Sequence, residues 1–449
     1  MASEPKDWRG VRGTLVSVDH DPFVQAAATC LRSYDDGLLV LRDGRIVAVG
    51  DYATLAPTLP AGLPVDHHPG CLIVPGFVDT HVHYPQLGMI GAYGEQLLGW
   101  LERYTFPTEA AFANPAHAAA VAERFLRELL RNGTTTAAVY CTVHPQSVDA
   151  FFTASERFGT LMAAGKVLMD RNAPEGLRDT VESGYRDSKA LIERWHGRGR
   201  QHYAVTPRFA ATSTQEQLEA AGTLLAEHEG LFMQTHLSEN TDEVAWVREL
   251  FPDRAGYLDV YASAGLARPR ALFGHGVHLS EDELCTCHAT GAALAHCPTS
   301  NMFLGSGLFR LFDALDPRRP VRVGLGTDVG AGTSLSPLVT MGAAYKVAAL
   351  RGTRLNAIQA LFLATHGGAR AMRLDDRIGT LQVDRDADLC VLDPLATPLL
   401  AFRRERCDSL EDLLFALMTL GDDRVVRATY AAGHRVYDRD RAGEPFSPP

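Results

Sequence analysis

The sequence predicts a (β/α)8 barrel set between two β-rich ends, and three observations predict it. Through the middle of the chain, short apolar runs alternate with longer helical stretches, the order that parallel strands and crossover helices require. Eight such runs suit a closed barrel better than an open sheet. Polar residues able to bind metal recur just after the runs, and a barrel opens all those strand ends onto one face.

The elements follow in chain order. Near the start, Leu38 to Val40 and Arg45 to Val49 flank Asp43-Gly44, a dipeptide suited to a tight hairpin turn. Barrel strands are expected over Leu72 to Val78, Thr135 to Val139, Val167 to Met169 and His202 to Val205. The other four are expected over Leu231 to Gln234, Ala271 to Phe273, Ala292 to Ala295 and Val321 to Leu325. Between them lie helical stretches such as Ala116 to Leu130 and Gln215 to His228, rich in Ala, Leu, Glu and Arg. Beyond the barrel, Asp388 to Leu392 is a short apolar run stopped by Asp393-Pro394. Arg424 to Ala432, Gly433, and Arg435 to Tyr437 read as a last strand, turn and strand.

Composition narrows the class. A chain of 449 residues exceeds one small core, so a large domain with a smaller companion is expected. Charged residues at 22% and hydrophobic residues at 46% are ordinary for a globular protein. A net charge of -11 argues against a general nucleic-acid or membrane-surface binder. The opening MASEPKDWRG has no apolar core, so no secretory leader is expected. No run approaches about 20 apolar residues, so no membrane-spanning helix is expected either. The eight scattered cysteines are read as reduced thiols in a cytoplasm. Cys285, Cys287 and His288 lie close together, but their surroundings are those of an amphipathic helix rather than a metal site. No segment of about 20 to 50 residues repeats, which argues against a solenoid.

The chemistry is read from the strand ends. The first run is followed by Asp79, His81 and His83, the third by Asp170, and the fourth by Arg208. The fifth is followed by His236 and Glu239, the sixth by His275, the seventh by His296 and Cys297, and the eighth by Asp328. His81 and His83 are one residue apart, so on a strand both imidazoles face the same way and can reach one ion. His236 adds a third nitrogen and Asp328 a carboxylate oxygen. Three imidazoles and a carboxylate suit a catalytic zinc that keeps a place for water. Glu239, three residues after His236, is placed to carry protons rather than to bind metal. His275 could bind metal or hydrogen-bond the attacking hydroxide; the second role is favoured because the other four already fill a mononuclear site. A binuclear site would need a bridging carboxylate or modified Lys, and Lys166 is read as standing at the start of its strand, on the wrong face.

With these residues placed, the chain resembles the amidohydrolase superfamily and, within it, the guanine deaminases. The stretches that carry the likeness are PGFVDTHVHYPQ (Pro75 to Gln86), YGEQLLGWLERYTFPTE (Tyr93 to Glu109), NGTTTAAVY (Asn132 to Tyr140) and LMDRNAPEGLRDT (Leu168 to Thr180). VTPRFAATST (Val205 to Thr214), QTHLSEN (Gln234 to Asn240) and FGHGVHLSEDE (Phe273 to Glu283) continue it. AHCPTSNMFLGSG (Ala295 to Gly307) and VGLGTDVGAGTSLS (Val323 to Ser336) complete it. HxH, HxxE and the late GTD are shared across the superfamily, whereas PRFA, YTFPTE and Gln86 are more selective.

The resemblance implies one zinc ion per chain on His81, His83, His236 and Asp328. It implies guanine as the substrate, deaminated hydrolytically to xanthine and ammonia by a zinc-activated water, with Glu239 as proton shuttle and His275 and Asp328 also catalytic. Substrate contacts fall to Gln86, Arg208, Phe209, His236, Glu239 and Asp328. A guanidinium offers planar donors to a ring carbonyl, an amide can donate and accept, and Phe209 can lie beside the ring. The resemblance further implies that residues 1–70 and 379–449 form a small composite β-sandwich beside a barrel of 71–378, and that the enzyme is a homodimer. Tyr93 to Glu109 is the expected cover of the site.

Two other readings compete. A sibling enzyme acting on a triazine, pterin, cytosine or adenosine would share the metal residues, but Gln86 and Arg208 favour guanine. A non-catalytic scaffold would be expected to lack some of the ligands, and all are present. Nucleic-acid deaminases use a different zinc site with a P-C-x-x-C pattern, and none follows Cys297-Pro298.

Overall fold

In the computed structural model, which describes residues 8–94 and 96–441, the chain begins with four strands. These are β1 (Trp8–Val18), β2 (Leu31–Arg42), β3 (Arg45–Asp51) and β4 (Val65–Pro75). β1 pairs antiparallel with β2, β2 with β3, and β1 pairs parallel with β4. The expected hairpin at Asp43-Gly44 is present, with φ of 50° and 76°, the left-handed pair that matches the twist of adjoining strands. β1 has no counterpart in the sequence reading, because Arg and Gly interrupt the alternation of WRGVRGTLVSV.

Gly76 carries the chain from this sheet into the barrel. The run Leu72 to Val78 is therefore two strand ends rather than one strand. Its first part closes β4, and Phe77 opens β5 (Phe77–His83). The Gly76 N–H donates to the Asp388 carbonyl at 2.8 Å, and a Cβ there would lie 2.2 Å from Thr135 Oγ1, so only glycine fits at the crossing. The changeover thus falls later than the expected boundary at residue 70.

The barrel continues with β6 (Thr134–Tyr140), β7 (Leu161–Gly165), β8 (Val167–Leu168), β9 (Gln201–Pro207) and β10 (Phe232–Leu237). β11 (Ala271–His275), β12 (Ala293–His296) and β13 (Arg322–Leu325) complete it. The strands run parallel in the order β5-β6-β7-β9-β10-β11-β12-β13, with β8 a short spur on β9. First and last strands lie side by side: Thr80 Oγ1 donates to the Leu325 carbonyl at 2.9 Å, and the Asp328 N–H to the His81 carbonyl at 2.8 Å.

The third strand corrects the sequence reading. Val167 to Met169 falls on the spur, while the paired strand is the Leu161–Gly165 segment LMAAG, which lacks β-branched residues. Lys166 consequently follows the end of β7 instead of opening its strand. It is buried, and its ammonium is bound to Asp179 and, at 3.3 Å, to the Val167 carbonyl.

Helices cover the barrel as amphipathic elements. In Pro115–Arg131 the buried residues Ala118, Ala122, Phe125, Leu126, Leu129 and Leu130 form one stripe. Asn114 caps the helix by accepting from the Ala116 and His117 N–H groups, and Pro115 occupies the first turn, where its missing N–H costs nothing.

The C-terminal segment returns to the first sheet. β14 (Leu389–Leu392), β15 (Val426–Ala431) and β16 (His434–Asp438) extend it to the order β16-β15-β14-β4-β1-β2-β3. The sheet folds over until its edge hairpins meet: a Cβ on Gly44 would lie 3.1 Å from the Ala432 carbonyl. Val11, Leu39, Ile46, Val391 and Tyr430 pack in one apolar cluster inside this sandwich.

Candidate active site and metal centre

Six side chains from three strands and two strand-end loops converge at the C-terminal face of the barrel. His81 and His83 occupy alternate positions on β5, and both Nε2 atoms lie 3.4 Å from Asp328 Oδ1. His83 Nε2 lies 3.1 Å from His236 Nε2. His275 Nε2 lies 3.3 Å from Glu239 Oε2 and 3.8 Å from Asp328 Oδ2. His81, His236, His275 and Asp328 offer ligand atoms all within 4.8 Å of one another. His275 and Asp328 have φ of 70° and 51°, left-handed values that are uncommon outside glycine and that gather at functional sites.

This donor set fits a metal ion. Two ligands of a tetrahedral zinc, each about 2.0–2.1 Å from it, stand about 3.3 Å apart, close to the separations observed. The buried Nε2 atoms of His81 and His275 have no hydrogen-bond partner among the described residues. Burial holds the imidazole of His81 below, and those of His83 and His236 well below, their usual value, which leaves neutral rings with lone pairs to give. His275 behaves differently. Burial opposes its charge, but Glu239 and Asp328 together raise it. Burial also opposes the charge of Asp328, yet His81, His275 and His236 hold its carboxyl well below the usual range.

Glu239 sits just before the helix Thr241–Leu250, capped by Asn240. Glu243 in the first turn accepts from the Glu239 N–H at 2.8 Å and the Asn240 N–H at 3.1 Å, so the helix start aims the Glu239 side chain. Ser306 Oγ donates to Glu239 Oε1 at 3.2 Å. Burial pushes the Glu239 carboxyl up to about 7.

Beside this cluster opens a cavity. Arg208, Phe209 and Gln86 line one side, and Leu97, Trp100 and Leu101 form an apolar roof. Gln96 Oε1 accepts from Asn240 Nδ2 at 2.9 Å, tying this segment to the barrel. Phe209 makes an edge contact with Trp246 at 6.0 Å between ring centroids.

The amidohydrolase family profile matches residues 72–436, most of the chain. The chain belongs to the amidohydrolase family. Guanine deaminase of Escherichia coli is 49% identical over 98% of this chain and 100% of its own length. The solved structure of E. coli guanine deaminase superposes with a TM-score of 0.93, at 48% identity over 96% of this chain and 99% of that one. A guanine deaminase from C. acetobutylicum, solved with guanine bound in its active site, superposes with a TM-score of 0.86 at 28% identity, over 96% of this chain and 100% of that one.

Not every polar strand end belongs to the amidohydrolase site, which corrects the reading that they serve it together. Asp79 turns away from the imidazoles: its Oδ1 accepts from the N–H groups of Thr327 at 3.0 Å and His81 at 3.1 Å. Asp170 accepts from the Thr214 N–H at 2.8 Å. His296 is buried against Phe309, and the Cys297 thiol donates to the Ala295 carbonyl at 3.4 Å. Cys285 is exposed and Cys287 buried on the helix Glu281–Thr290, so they do not share a site.

Other residues of the site were missed. Asn301 Oδ1 accepts from His275 Nδ1 at 2.8 Å. Glu109 is bonded to both Arg208 and Gln86. Ser306, Asn301 and Glu109 all lie within the quoted stretches, and their burial, which marks them, is visible only in the structure.

Proposed function

We propose that this amidohydrolase deaminates guanine to xanthine and ammonia, with one zinc ion per chain. The observation that carries the reading is the placement of Arg208, Gln86 and Phe209 in the same cavity as Glu239 and the imidazole–carboxylate cluster. Full-length likeness to E. coli guanine deaminase supports the substrate.

His81, His83, His236 and Asp328 would hold the ion. When bound, it supplies Lewis acidity that lets a water lose its proton near neutral pH. Arg208 and Gln86 hold the ring by its acceptors, and Phe209 lies beside its face. Glu239 is held near neutrality by its burial, so it can take the proton of the attacking water and pass it to the ring nitrogen beside the aminated carbon. His275 and Asp328 orient that water. A carbon–oxygen bond forms, the carbon–nitrogen bond to the exocyclic amine breaks, and Glu239 or Asp328 relays a proton to the departing ammonia.

A homodimer and a cytoplasmic location complete the proposal, the location supported by eight free thiols. No helix among the described residues is long and apolar enough to cross a membrane.

The test is a metal analysis of purified protein followed by absorbance assays on guanine, with adenine, cytosine, guanosine and a triazine in parallel. Turnover of guanine alone, with about one zinc per chain, is expected. Silence on guanine with zinc bound would move the activity to another aminated heterocycle.

A further inference from the structure

Glu109 does not belong to a barrel strand. It lies on Phe106–Ala110, a single short helix in the segment that roofs the cavity, and it is fully buried. Its two carboxylate oxygens accept from Arg208 Nη1 at 3.0 and 2.7 Å, and Oε1 also accepts from Gln86 Nε2 at 3.0 Å. The far end of the Gln86 amide is occupied as well, its Oε1 accepting from the Gly330 N–H at 3.2 Å. One carboxylate thus touches both side chains that face the ring from this side of the cavity.

We propose that Glu109 is the positioning residue that sets which rings the site accepts. This rests on the guanine reading above and deepens it.

The first argument is orientation. A carboxylate can only accept, so Gln86 must turn its NH2 towards Glu109 and cannot flip. What Gln86 and Arg208 have left for a ligand is then mostly donors: one amide N–H and the remaining guanidinium N–H groups, beside one lone pair on the Gln86 oxygen. That corner fits the carbonyl and the unprotonated ring nitrogens of a purine lactam. A ring that puts an amino group there sets donor against donor in a buried place, and leaves both unsatisfied.

The second argument is charge. Arg208 and Glu109 are both buried, and the pair is neutral as a unit. A neutral ring therefore meets no uncompensated cation, and an anionic ring gains little from Arg208. Xanthine carries one more ring carbonyl than guanine and ionises more readily, so Glu109 also favours release of the product.

The test compares Glu109→Gln and Glu109→Asp with the wild type in the metal-loaded enzyme. Guanine kinetics are measured, with inhibition by xanthine above the pH at which it loses a ring proton. In Glu109→Gln the guanine KM should rise about ten- to a hundredfold with a smaller change in kcat, the range for a buried charged hydrogen bond. Anionic xanthine should inhibit about tenfold more strongly, because Arg208 is now uncompensated. Glu109→Asp keeps the charge but shortens the reach, so its guanine KM should rise without any gain in xanthine inhibition. A purely structural role would lower activity in both variants and leave the charge preference unmoved. Glu109→Gln with wild-type KM and wild-type xanthine inhibition overturns the proposal. If that variant does not fold, Glu109→Asp decides alone, and a wild-type guanine KM there overturns it equally. A wild-type enzyme silent on guanine would instead sink the proposed function, and this inference with it.

Discussion

His236 Nδ1 lies 2.7 Å from the backbone carbonyl of Arg208. A carbonyl can only accept, so the ring must carry its proton on Nδ1, which leaves Nε2 bare and pointing into the cluster. The backbone that presents the Arg208 guanidinium to the cavity therefore also sets the tautomer of a proposed metal ligand. Outer partners of this kind orient a ligand and tune its basicity. The proposed sites of ring recognition and metal binding are thus mechanically joined at the end of β9.

Glu239 is bound by Ser306 and aimed by Glu243, but it bridges no pair of imidazoles. Glu239→Gln should keep the cation and the fold while kcat falls about 10²–10⁴-fold, the usual worth of a positioned proton carrier. Metal analysis and steady-state kinetics on the same sample check this. Near-wild-type turnover would remove Glu239 from its assigned role.

Gly274 on β11 leaves room for the ring of His81. A Cβ there would lie 2.5 Å from His81 Cε1 and 2.7 Å from Nδ1. Gly274→Ala should push the imidazole out of line and weaken metal affinity about ten- to a hundredfold, as displaced ligand supports do. Competition with a metal indicator measures it, and unchanged affinity would show that the ring has slack.

Buried Lys166 forms an ion pair with half-buried Asp179, remote in sequence from every proposed ligand. Asp179→Asn strands a buried ammonium and should cost about 3–5 kcal/mol, whereas Lys166→Met leaves a smaller defect. Chemical denaturation of the two variants ranks them, and the reverse order would contradict this account.

His68 on β4 is buried in the sandwich, its Nε2 2.9 Å from the Tyr430 hydroxyl, which itself donates to Asp66 at 2.9 Å. Burial pushes the imidazole down from 6.5 to about 4. The unfolded chain takes up its proton below the higher value, while the folded chain resists until the lower one. His68 therefore contributes stability above pH 6.5 that is lost progressively as pH falls towards about 4. The melting temperature of wild type relative to His68→Gln should drop across that window, and a flat difference would refute it.

Much of the site was legible because strand ends announce themselves. An apolar run followed by His, Glu or Asp specifies both a strand and a polar mouth, and so His81, His83, His236, Glu239, His275 and Asp328 could be named in advance. Gln86, Arg208 and Phe209 came from likeness to a family rather than from periodicity. Strand limits were less legible. The apolar run across Gly76 looks continuous because burial continues on both sides of it, although the chain passes from one sheet to another. β7 was overlooked because its alanines carry little strand preference, and it is a strand because its neighbours β6 and β9 hold it there.

By itself, then, the sequence determined the alternation of strand and helix, the chemical type of each residue at the barrel mouth, and the hairpin at Asp43-Gly44. Those are local properties, written in spacing and residue type within a short window. Only the tertiary structure decided that Glu109 meets Arg208 across a separation of 99 residues, that Asp79 turns to Thr327 rather than to the imidazoles, and that both chain ends share one folded sheet. Such pairings depend on which surfaces closure of the barrel brings together, and no window of sequence contains both partners.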